Sequence, residues 1–224
     1  MDVFSDPTNI DVYVTGFLWI LKLTVAGTVG ALILGVLLAA MRVSPVPVLR
    51  GFGTTWVNTF RNTPLTLIIF FCYFGLFSTL GVTLSDDIDR NNYWLGVIGL
   101  SVYTAAFVCE AIRSGINTVP AGQAEAARAI GMSFFQTLTI IVLPQAGRAV
   151  IAPLGSIFIA LAKNSTIVGT IGLAESSNAM KELINSNGDQ VIAIFLVFAG
   201  TFAAVLIPTG YAFGWLANRM AVKR

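Results

Sequence analysis

An acidic and a basic residue lie three positions apart inside an apolar stretch of this 224-residue sequence, at Glu110 and Arg113. Ionisable groups in such stretches are costly, and they are usually paired or functional. Residues at i and i+3 share one face of a helix, so these two side chains can form an ion pair where the stretch ends. The same position suits a gate or a group that lines a path for a polar solute, and both interpretations stay open.

A cationic, hydroxyl-rich segment ends another apolar run. Lys163 is followed directly by amide and hydroxyl side chains, those of Asn164, Ser165 and Thr166. A lysine at this place can extend its amine to the lipid headgroups. Irregular backbone at membrane depth, however, is tolerated only where it is buried in protein or lines a cavity. Because an amine beside hydroxyl groups suits the carboxylate of an amino acid, the segment favours a place in a solute pathway.

The residues needed for enzyme chemistry are largely missing. The sequence has no histidine, which is the commonest metal ligand and the usual near-neutral proton shuttle. No lysine follows a glycine or precedes a serine or threonine, so there is no P-loop for a nucleotide. Cys72 and Cys109 lie far apart in apolar runs, which indicates structural thiols rather than a disulfide. We therefore predict no catalytic residue, no metal and no cofactor in this chain, and an energy source outside it.

Composition indicates which elements must position these groups. The chain is 56% hydrophobic and only 11% charged, whereas soluble domains are about 25% charged. The net charge of +2 is too small to indicate a nucleic-acid partner. We predict an all-α, polytopic membrane protein, a single domain over residues 1–224 that is surrounded by lipid. Runs long enough to cross a bilayer predict five transmembrane helices, over about 12–41, 54–80, 93–112, 136–162 and 191–217, with a polar outer segment over 175–189.

Lysine and arginine are distributed unevenly between the segments that connect these helices. Basic residues are enriched on the cytoplasmic side of membrane proteins. With the N-terminus outside, most basic residues of the connecting segments fall on the inner side: Arg42, Arg50, Arg113, Arg128, Arg219, Lys223 and Arg224. Arg90 and Lys181 lie on the outer side, together with most of the acidic residues. The charge pattern predicts a multi-pass membrane protein with the N-terminus outside and the C-terminus in the cytoplasm.

A short helix with few charges is predicted between the third and fourth apolar runs, over about 120–131. It is rich in alanine, a strong helix former, and Gly131 stands where a left-handed C-terminal stop belongs. Ser133, with Gln136 three residues later, matches the capping box of a second helix. The sequence therefore predicts a helix, a tight turn and a second helix on the inner side of the membrane.

The spacing in this segment resembles the EAA signature of ABC-importer permeases, in which the first helix is a cytoplasmic coupling helix that docks on an ATPase subunit. The match comprises Glu-Ala-Ala at 125–127, a glycine at 131, and Ile-x-Leu-Pro at 141–144. The resemblance implies that the residues coupling this chain to the ATPase are Gly122, Glu125, Ala126, Ala127, Gly131, Ile141, Leu143 and Pro144.

Other segments resemble the histidine/glutamine-permease-like family of polar amino-acid importers. They cover 60–76, 110–123 and 161–167, with Asn62 where a glycine is commoner. Within that family, the pieces at 41–45, 61–67, 113–119, 160–167 and 221–224 are most similar to glutamate-uptake permeases. Arg61 suits a pathway and a positive anchor on the inner surface equally well. The predicted solute pathway comprises Arg61, Thr63, Pro64, Glu110, Arg113, Lys163, Asn164, Ser165 and Thr166.

The same resemblance implies a location in a bacterial cell (cytoplasmic) membrane, the function and the partners. It implies inward passage of a polar amino acid, most specifically L-glutamate, through a pore formed with a second permease subunit, identical or paralogous. It also implies two ATPase subunits, which would bind ATP and magnesium, and an extracytoplasmic amino-acid-binding protein. No nucleic acid is expected among the partners.

Two other functions stay open from the residues alone. One is an ion-coupled amino-acid carrier or channel that uses Glu110, and the other is a non-transporting membrane scaffold. Carriers of that kind usually show two repeated halves, and five unequal spans offer no such repeat. A scaffold has no need for a helix that matches a coupling motif.

Overall fold

Helices make up every regular element of residues 2–220, the part of the chain that the computed structural model describes. Its α-helices are α1 Pro7–Val43, α2 Pro47–Arg61, α3 Leu65–Phe70, α4 Ile88–Asn117, α5 Ala121–Ala129, α6 Phe134–Gln136, α7 Leu143–Ala149, α8 Ile151–Asn164, α9 Ser176–Ser186 and α10 Val191–Met220. Segments of 3₁₀ helix cover Asp2–Ser5 and Ser165–Ile171, and π-helical segments cover Phe71–Thr79 and Thr137–Val142. The predicted inner residues Lys223 and Arg224 lie outside the described residues.

Helix α4 lies at the centre of the fold. We compare the most apolar stretch of 18 residues in each long helix. The buried share of these residues is 67% in α4, 33% in α1 and 11% in α10. Leu95, Leu100, Ala105 and Val108 of α4 are fully buried, and they join side chains of α1, α2, α3 and α8 in the apolar core. Most of α10 instead leaves its apolar surface for lipid or another subunit to cover.

Five segments can cross a bilayer if one bent pair counts as a single span. Four are continuous helical stretches, namely α1, α4, Ile151–Ile171 and α10. The fifth joins α2 to Leu65–Thr79 across a bend of 105°, where the prediction had one span over 54–80. The bend follows from Pro64, which has no N–H to donate and disfavours a helical conformation at Thr63. The predicted all-α, polytopic membrane fold is confirmed.

Two helices begin earlier than predicted because side chains cap their first turns. Asp6 Oδ1 accepts the backbone N–H of Thr8 at 2.8 Å, and α1 starts at Pro7. Asp87 Oδ1 accepts the backbone N–H of Arg90 at 2.8 Å, and α4 starts at Ile88. An aspartate at the N-cap satisfies an N–H that the helix leaves unpaired. Apolar runs mark only the membrane-embedded part of a helix, so they miss these polar first turns.

The fourth span, Ile151–Ile171, begins later than the predicted 136–162, because the π-helical segment and α7 precede it. It ends in an irregular segment, as predicted for the residues after Lys163. Helix α8 passes into the 3₁₀ segment Ser165–Ile171, which ends at Gly172 with φ +90°. Glycine adopts this left-handed conformation without the steric cost that a Cβ adds. Helix α9 follows and packs against α1, and it accounts for the helical part of the outer segment predicted over 175–189.

Candidate coupling helix and solute pathway

Helix α5 is a short rod with a defined stop. Pro120 precedes its first turn, and Gly131 follows its last turn with φ +92°. The N–H of Gly131 donates to the carbonyl of Arg128 at 3.0 Å, and the N–H of Met132 donates to the carbonyl of Ala127 at 3.1 Å. This closure satisfies carbonyl groups that the end of a helix leaves free.

The next helix starts with a capping box. Ser133 Oγ accepts the backbone N–H of Gln136 at 3.2 Å, and Gln136 Oε1 accepts the backbone N–H of Ser133 at 2.8 Å. The reciprocal pair is the one that the Ser-x-x-Gln spacing predicts. The predicted sequence of helix, tight turn and helix is therefore confirmed.

The predicted coupling residues divide into those that pack and those that are open. Ala127 is only 5% exposed, and Ile141 is half-buried. The exposed members are Gly122, Glu125, Ala126, Gly131, Leu143 and Pro144. The motif thus anchors the rod through Ala127 and leaves a row of small and acidic groups available to another protein.

Three large apolar side chains beside this row were missed by sequence reasoning. Ile130 is 82% exposed, Phe134 62% and Phe135 71%. Exposed apolar groups that cluster at one turn are typical of a protein interaction site. The sequence does contain a signal for them, because large apolar residues stand just before and just after the turn at Gly131, outside the apolar runs.

A pair of glutamines connects α5 to α7, the helix that precedes the fourth span. Gln145 Nε2 in α7 donates to Gln123 Oε1 in α5 at 2.7 Å, and it also donates to the carbonyl of Ile141 at 2.9 Å. Helix α5 also packs on the π-helical segment Thr137–Val142. These contacts connect α5 to the helical segments that lead into the fourth span. Gln145 lies in no motif that the sequence offered.

Three arginines from three helices meet at Glu110. Arg113 Nη2 donates to Glu110 Oε2 at 3.1 Å, which confirms the pairing that the i, i+3 spacing predicts. Arg42 at the end of α1 pairs with Glu110 Oε1. Arg61 at the end of α2 places Nη1 3.8 Å from Oε2, and its guanidinium lies 5.8 Å from the ring centre of Phe107. The sequence predicts Arg42 only as a basic residue of the inner side and gives no indication of its pairing with Glu110.

This cluster has an excess of positive charge, because one carboxylate faces three guanidinium groups. The side chains of Arg42 and Glu110 are 12% and 22% exposed, whereas those of Arg61 and Arg113 are 45% and 40% exposed. The carboxylate joins α1, α2 and α4 at one end of the bundle, while two of the arginines remain open to solvent. The arrangement can hold three helices together and attract an anion.

The end of α8 presents one charged group, and the hydroxyls of the first residues after it bond to carbonyls of the same chain. Lys163 is exposed, and with Thr166 it lines a groove of about 530 Å³ against Ala199 and Phe202 of α10. Ser165 is fully buried and donates its hydroxyl to the carbonyl of Ala162 at 2.8 Å. Thr166 donates its hydroxyl to the carbonyl of Lys163, also at 2.8 Å, and Asn164 is half-buried. The amine is thus the group of this segment that is available to a solute.

The predicted pathway residues form two separate groups rather than one pocket. Along α4, Gly96 lies against Val168 of the 3₁₀ segment. Fourteen residues separate positions 96 and 110, which corresponds to about 21 Å along the helix at 1.5 Å per residue. Arg61, with Thr63 and Pro64 after it, belongs to the Glu110 group, and Thr63 donates its hydroxyl to the carbonyl of Thr59 at 2.8 Å. The structure therefore places the two cationic groups near opposite ends of the bundle.

A buried carboxylate that the sequence did not single out lies beside the Lys163 group. Glu175 is fully buried, and it accepts the backbone N–H groups of Ser177 at 2.8 Å and Asn178 at 3.3 Å. Burial raises the pKa of its carboxyl, although these N–H donors stabilise the charged form and oppose the shift. The sequence alone predicts Glu175 only as part of the polar outer segment over 175–189.

The fold is that of the membrane-spanning subunit of an ABC transporter. Residues 31–222 match the family described as "Binding-protein-dependent transport system inner membrane component", and the chain belongs to this family. A solved structure described as an amino acid ABC transporter with histidines superposes with a TM-score of 0.86 at 25% identity, over 98% of this chain and 99% of the other.

Two relatives extend over almost the whole chain. The glutamate transport system permease protein GluC of Corynebacterium efficiens is 49% identical over 92% of this chain and 93% of its own length. The probable glutamine ABC transporter permease protein GlnM of Bacillus subtilis is 37% identical over 95% of this chain and 94% of its own length.

Family membership decides several of the predictions. The chain is a multi-pass inner-membrane protein, a transport subunit of an ABC transporter complex and not an enzyme in its own right. The predicted ABC-importer permease family is confirmed. The ion-coupled carrier and the scaffold gain no support, because the family works within binding-protein-dependent transport systems.

Proposed function

We propose that this chain forms the membrane passage of an ATP-driven importer of L-glutamate. The choice of glutamate as the substrate rests on one observation. The chain is 49% identical to a glutamate permease over 92% of its length, whereas it is 37% identical to a glutamine permease. An anionic amino acid also suits the excess of arginine around Glu110 and the exposed amine of Lys163.

The proposed complex contains a second permease subunit, identical or paralogous, two ATPase subunits and an extracytoplasmic glutamate-binding protein. ATP and magnesium are bound by the ATPase subunits. Helix α5 docks on an ATPase through Glu125, Ala126 and the apolar side chains at the following turn, which are exposed. When the ATPases close, α5 moves, and the Gln123–Gln145 contact carries the movement into the fourth span.

Glutamate passes two cationic groups in this scheme. It meets the Lys163 group at the outer end of the fourth span and the Glu110 group at the inner end of α4. Each group offers compensating charge to an anion that has lost part of its hydration. The inner group, in which one carboxylate faces three guanidinium groups, releases the solute because Glu110 competes for the same guanidinium donors.

Uptake measurements test the proposed substrate. Cells lacking the gene, and cells in which it is restored, are supplied with labelled glutamate, glutamine or aspartate. We expect restoration of glutamate uptake, inhibited by excess unlabelled glutamate and far less by glutamine. Restoration of glutamine uptake alone would assign the chain to a glutamine importer and reject glutamate.

Replacing Gly131 by valine is expected to lower ATP-driven uptake about tenfold while the protein still inserts into the membrane. A Cβ at this position meets no atom within 4 Å, so crowding is not the obstacle. The obstacle is φ +92°, which costs a residue with a Cβ about 1–2 kcal/mol. Gly131→Asn is the control, because asparagine tolerates this conformation, and it should transport nearly normally. Equal uptake by the valine variant at equal expression contradicts the prediction.

Single cysteines are expected to report an outside N-terminus. Asp86→Cys lies in the loop before α4, and Arg50→Cys lies in α2, both exposed. The native Cys72 and Cys109 are buried and should contribute little background. A membrane-impermeant maleimide should label position 86 in intact cells and position 50 only after the membrane is opened. The reverse pattern would invert the proposed orientation.

A further inference from the structure

The 3₁₀ segment Ser165–Ile171 carries backbone carbonyl groups into the interior of the protein. Val168, Gly169 and Ile171 are buried. A buried carbonyl without a partner is costly, and a short 3₁₀ segment lacks the regular bonding of a long helix. Side chains from other elements therefore have to satisfy these groups and, in doing so, to define the shape of the segment.

Three side chains donate to carbonyls of this segment and of the residues just after it. Asn178 Nδ2 in α9 donates to the carbonyl of Gly169 at 2.8 Å and to that of Leu173 at 2.9 Å. Asn92 Nδ2 in α4, which is 3% exposed, donates to the carbonyl of Ile171 at 3.0 Å. Ser177 Oγ donates to the carbonyl of Thr166 at 3.5 Å.

Glu175 fixes the place from which two of these donors act. Its carboxylate accepts the first N–H groups of α9, including that of Asn178 at 3.3 Å, so it anchors the helix start that carries Ser177 and Asn178. A Cβ built on Gly169 would fall on this carboxylate. The 3₁₀ segment and the start of α9 are thus in direct contact through polar groups, without space for a larger residue.

We propose that Asn92, Glu175, Ser177 and Asn178 are positioning residues for transport, which hold the 3₁₀ segment in the shape that keeps Lys163 and Thr166 beside the solute path. The hydrogen bonds described above are sufficient to argue that these residues hold the 3₁₀ segment in place. The step from its shape to transport rests on the proposed function. On this view α9 is more than a cover for the core, because its first turn sets the outer end of the passage.

The test compares Asn178→Leu with Asn187→Leu in the transporter purified with its partner subunits and placed in lipid nanodiscs. Asn187 directly follows the last residue of the same helix, and within residues 2–220 its Nδ2 donates to the carbonyl of Leu183 in α9 and to no other group. Backbone hydrogen exchange over 165–173 and the initial rate of uptake in vesicles are measured for both. The first readout needs no substrate, so it is independent of the identity of the solute.

For Asn178→Leu we expect exchange over 165–173 to be about tenfold faster, the factor equivalent to about 1.4 kcal/mol and thus within the range for the two hydrogen bonds that are lost. The maximal uptake rate should fall severalfold, while the half-saturating concentration of the loaded binding protein stays unchanged. Asn187→Leu should match the wild type in all three. Unchanged exchange in Asn178→Leu overturns the proposal, and so does faster exchange with normal uptake.

Milder variants decide the matter if Asn178→Leu does not accumulate. Ser177→Ala removes one donor and should raise exchange over 165–173 two- to threefold. Glu175→Gln keeps an acceptor for the helix N–H groups and should stay close to the wild type, whereas Glu175→Leu should not. Wild-type exchange in both Ser177→Ala and Glu175→Leu overturns the proposal. Normal transport by Lys163→Met alongside a defect in Ser177→Ala would reject the role of Lys163 and leave the positioning role in place.

Discussion

Lys163→Met is expected to lower glutamate uptake ten- to hundredfold without loss of the protein from the membrane. The methionine keeps the length of the apolar stem and removes the exposed amine that lines the groove against α10. Loss of a hydrogen bond to a charged group costs about 1.5–3 kcal/mol, and each 1.4 kcal/mol is a factor of about ten. The measurement is uptake into vesicles that contain the complete transporter and a loaded binding protein.

Lys22→Met is the matched control for this experiment. Lys22 is an exposed lysine of α1, and it is not among the residues that line the groove. Its replacement should leave uptake within a factor of two of the wild type. Wild-type uptake by Lys163→Met would show that the amine only reaches the headgroups. Lys163→Arg, which retains the charge, should keep most of the activity.

Glu110→Gln is expected to destabilise the protein and to lower uptake as well. The substitution keeps the shape of the side chain and leaves Arg42, Arg61 and Arg113 without the carboxylate that they share. Hydrogen bonds between charged groups are worth about 1.5–3 kcal/mol, and exposure of two of the arginines reduces this toward the lower end. At about 2–4 °C per kcal/mol for a chain of this size, the melting temperature should fall by several degrees.

Two comparisons separate this effect from a general loss of negative charge. Glu182→Gln changes an exposed acid of α9 that makes no ion pair within residues 2–220, and it should leave the melting temperature unchanged. The double variant Glu110→Gln/Arg113→Gln should lose less stability than the two single variants lose in sum, because it also removes one of the cations that repel each other. Strict additivity of the two substitutions would contradict a shared cluster.

The two predictions address different ends of the proposed passage. Lys163 and Glu110 lie in separate groups, so their effects on transport should combine independently, as those of distant sites do. If the double variant shows strong coupling, the two groups would have to be linked through the movement of the fourth span. The glutamine contact between α5 and α7 is the structural route for such a link.

Local spacing determined much of what was predicted for this chain. The membrane location follows from composition, and the helix, stop and capping box around Gly131 follow from residues within a few positions of one another. The Glu110–Arg113 pair has the same origin, because i and i+3 always meet on one helix. The polar first turns after Asp6 and Asp87 were missed, although their capping residues are equally local, because apolar runs alone were used to place the spans.

The tertiary structure decided the features that join distant parts of the chain. Arg42 meets Glu110 across 68 residues and Asn92 meets Ile171 across 79, and neither pairing leaves a periodic signal in the sequence. The 105° bend between α2 and Leu65–Thr79, the contact of Gln145 with α5 and the burial of Glu175 are of the same kind. Each depends on how helices are rotated and crossed against their neighbours. That geometry arises from the packing of side chains on several helices at once, and no single stretch of sequence contains it.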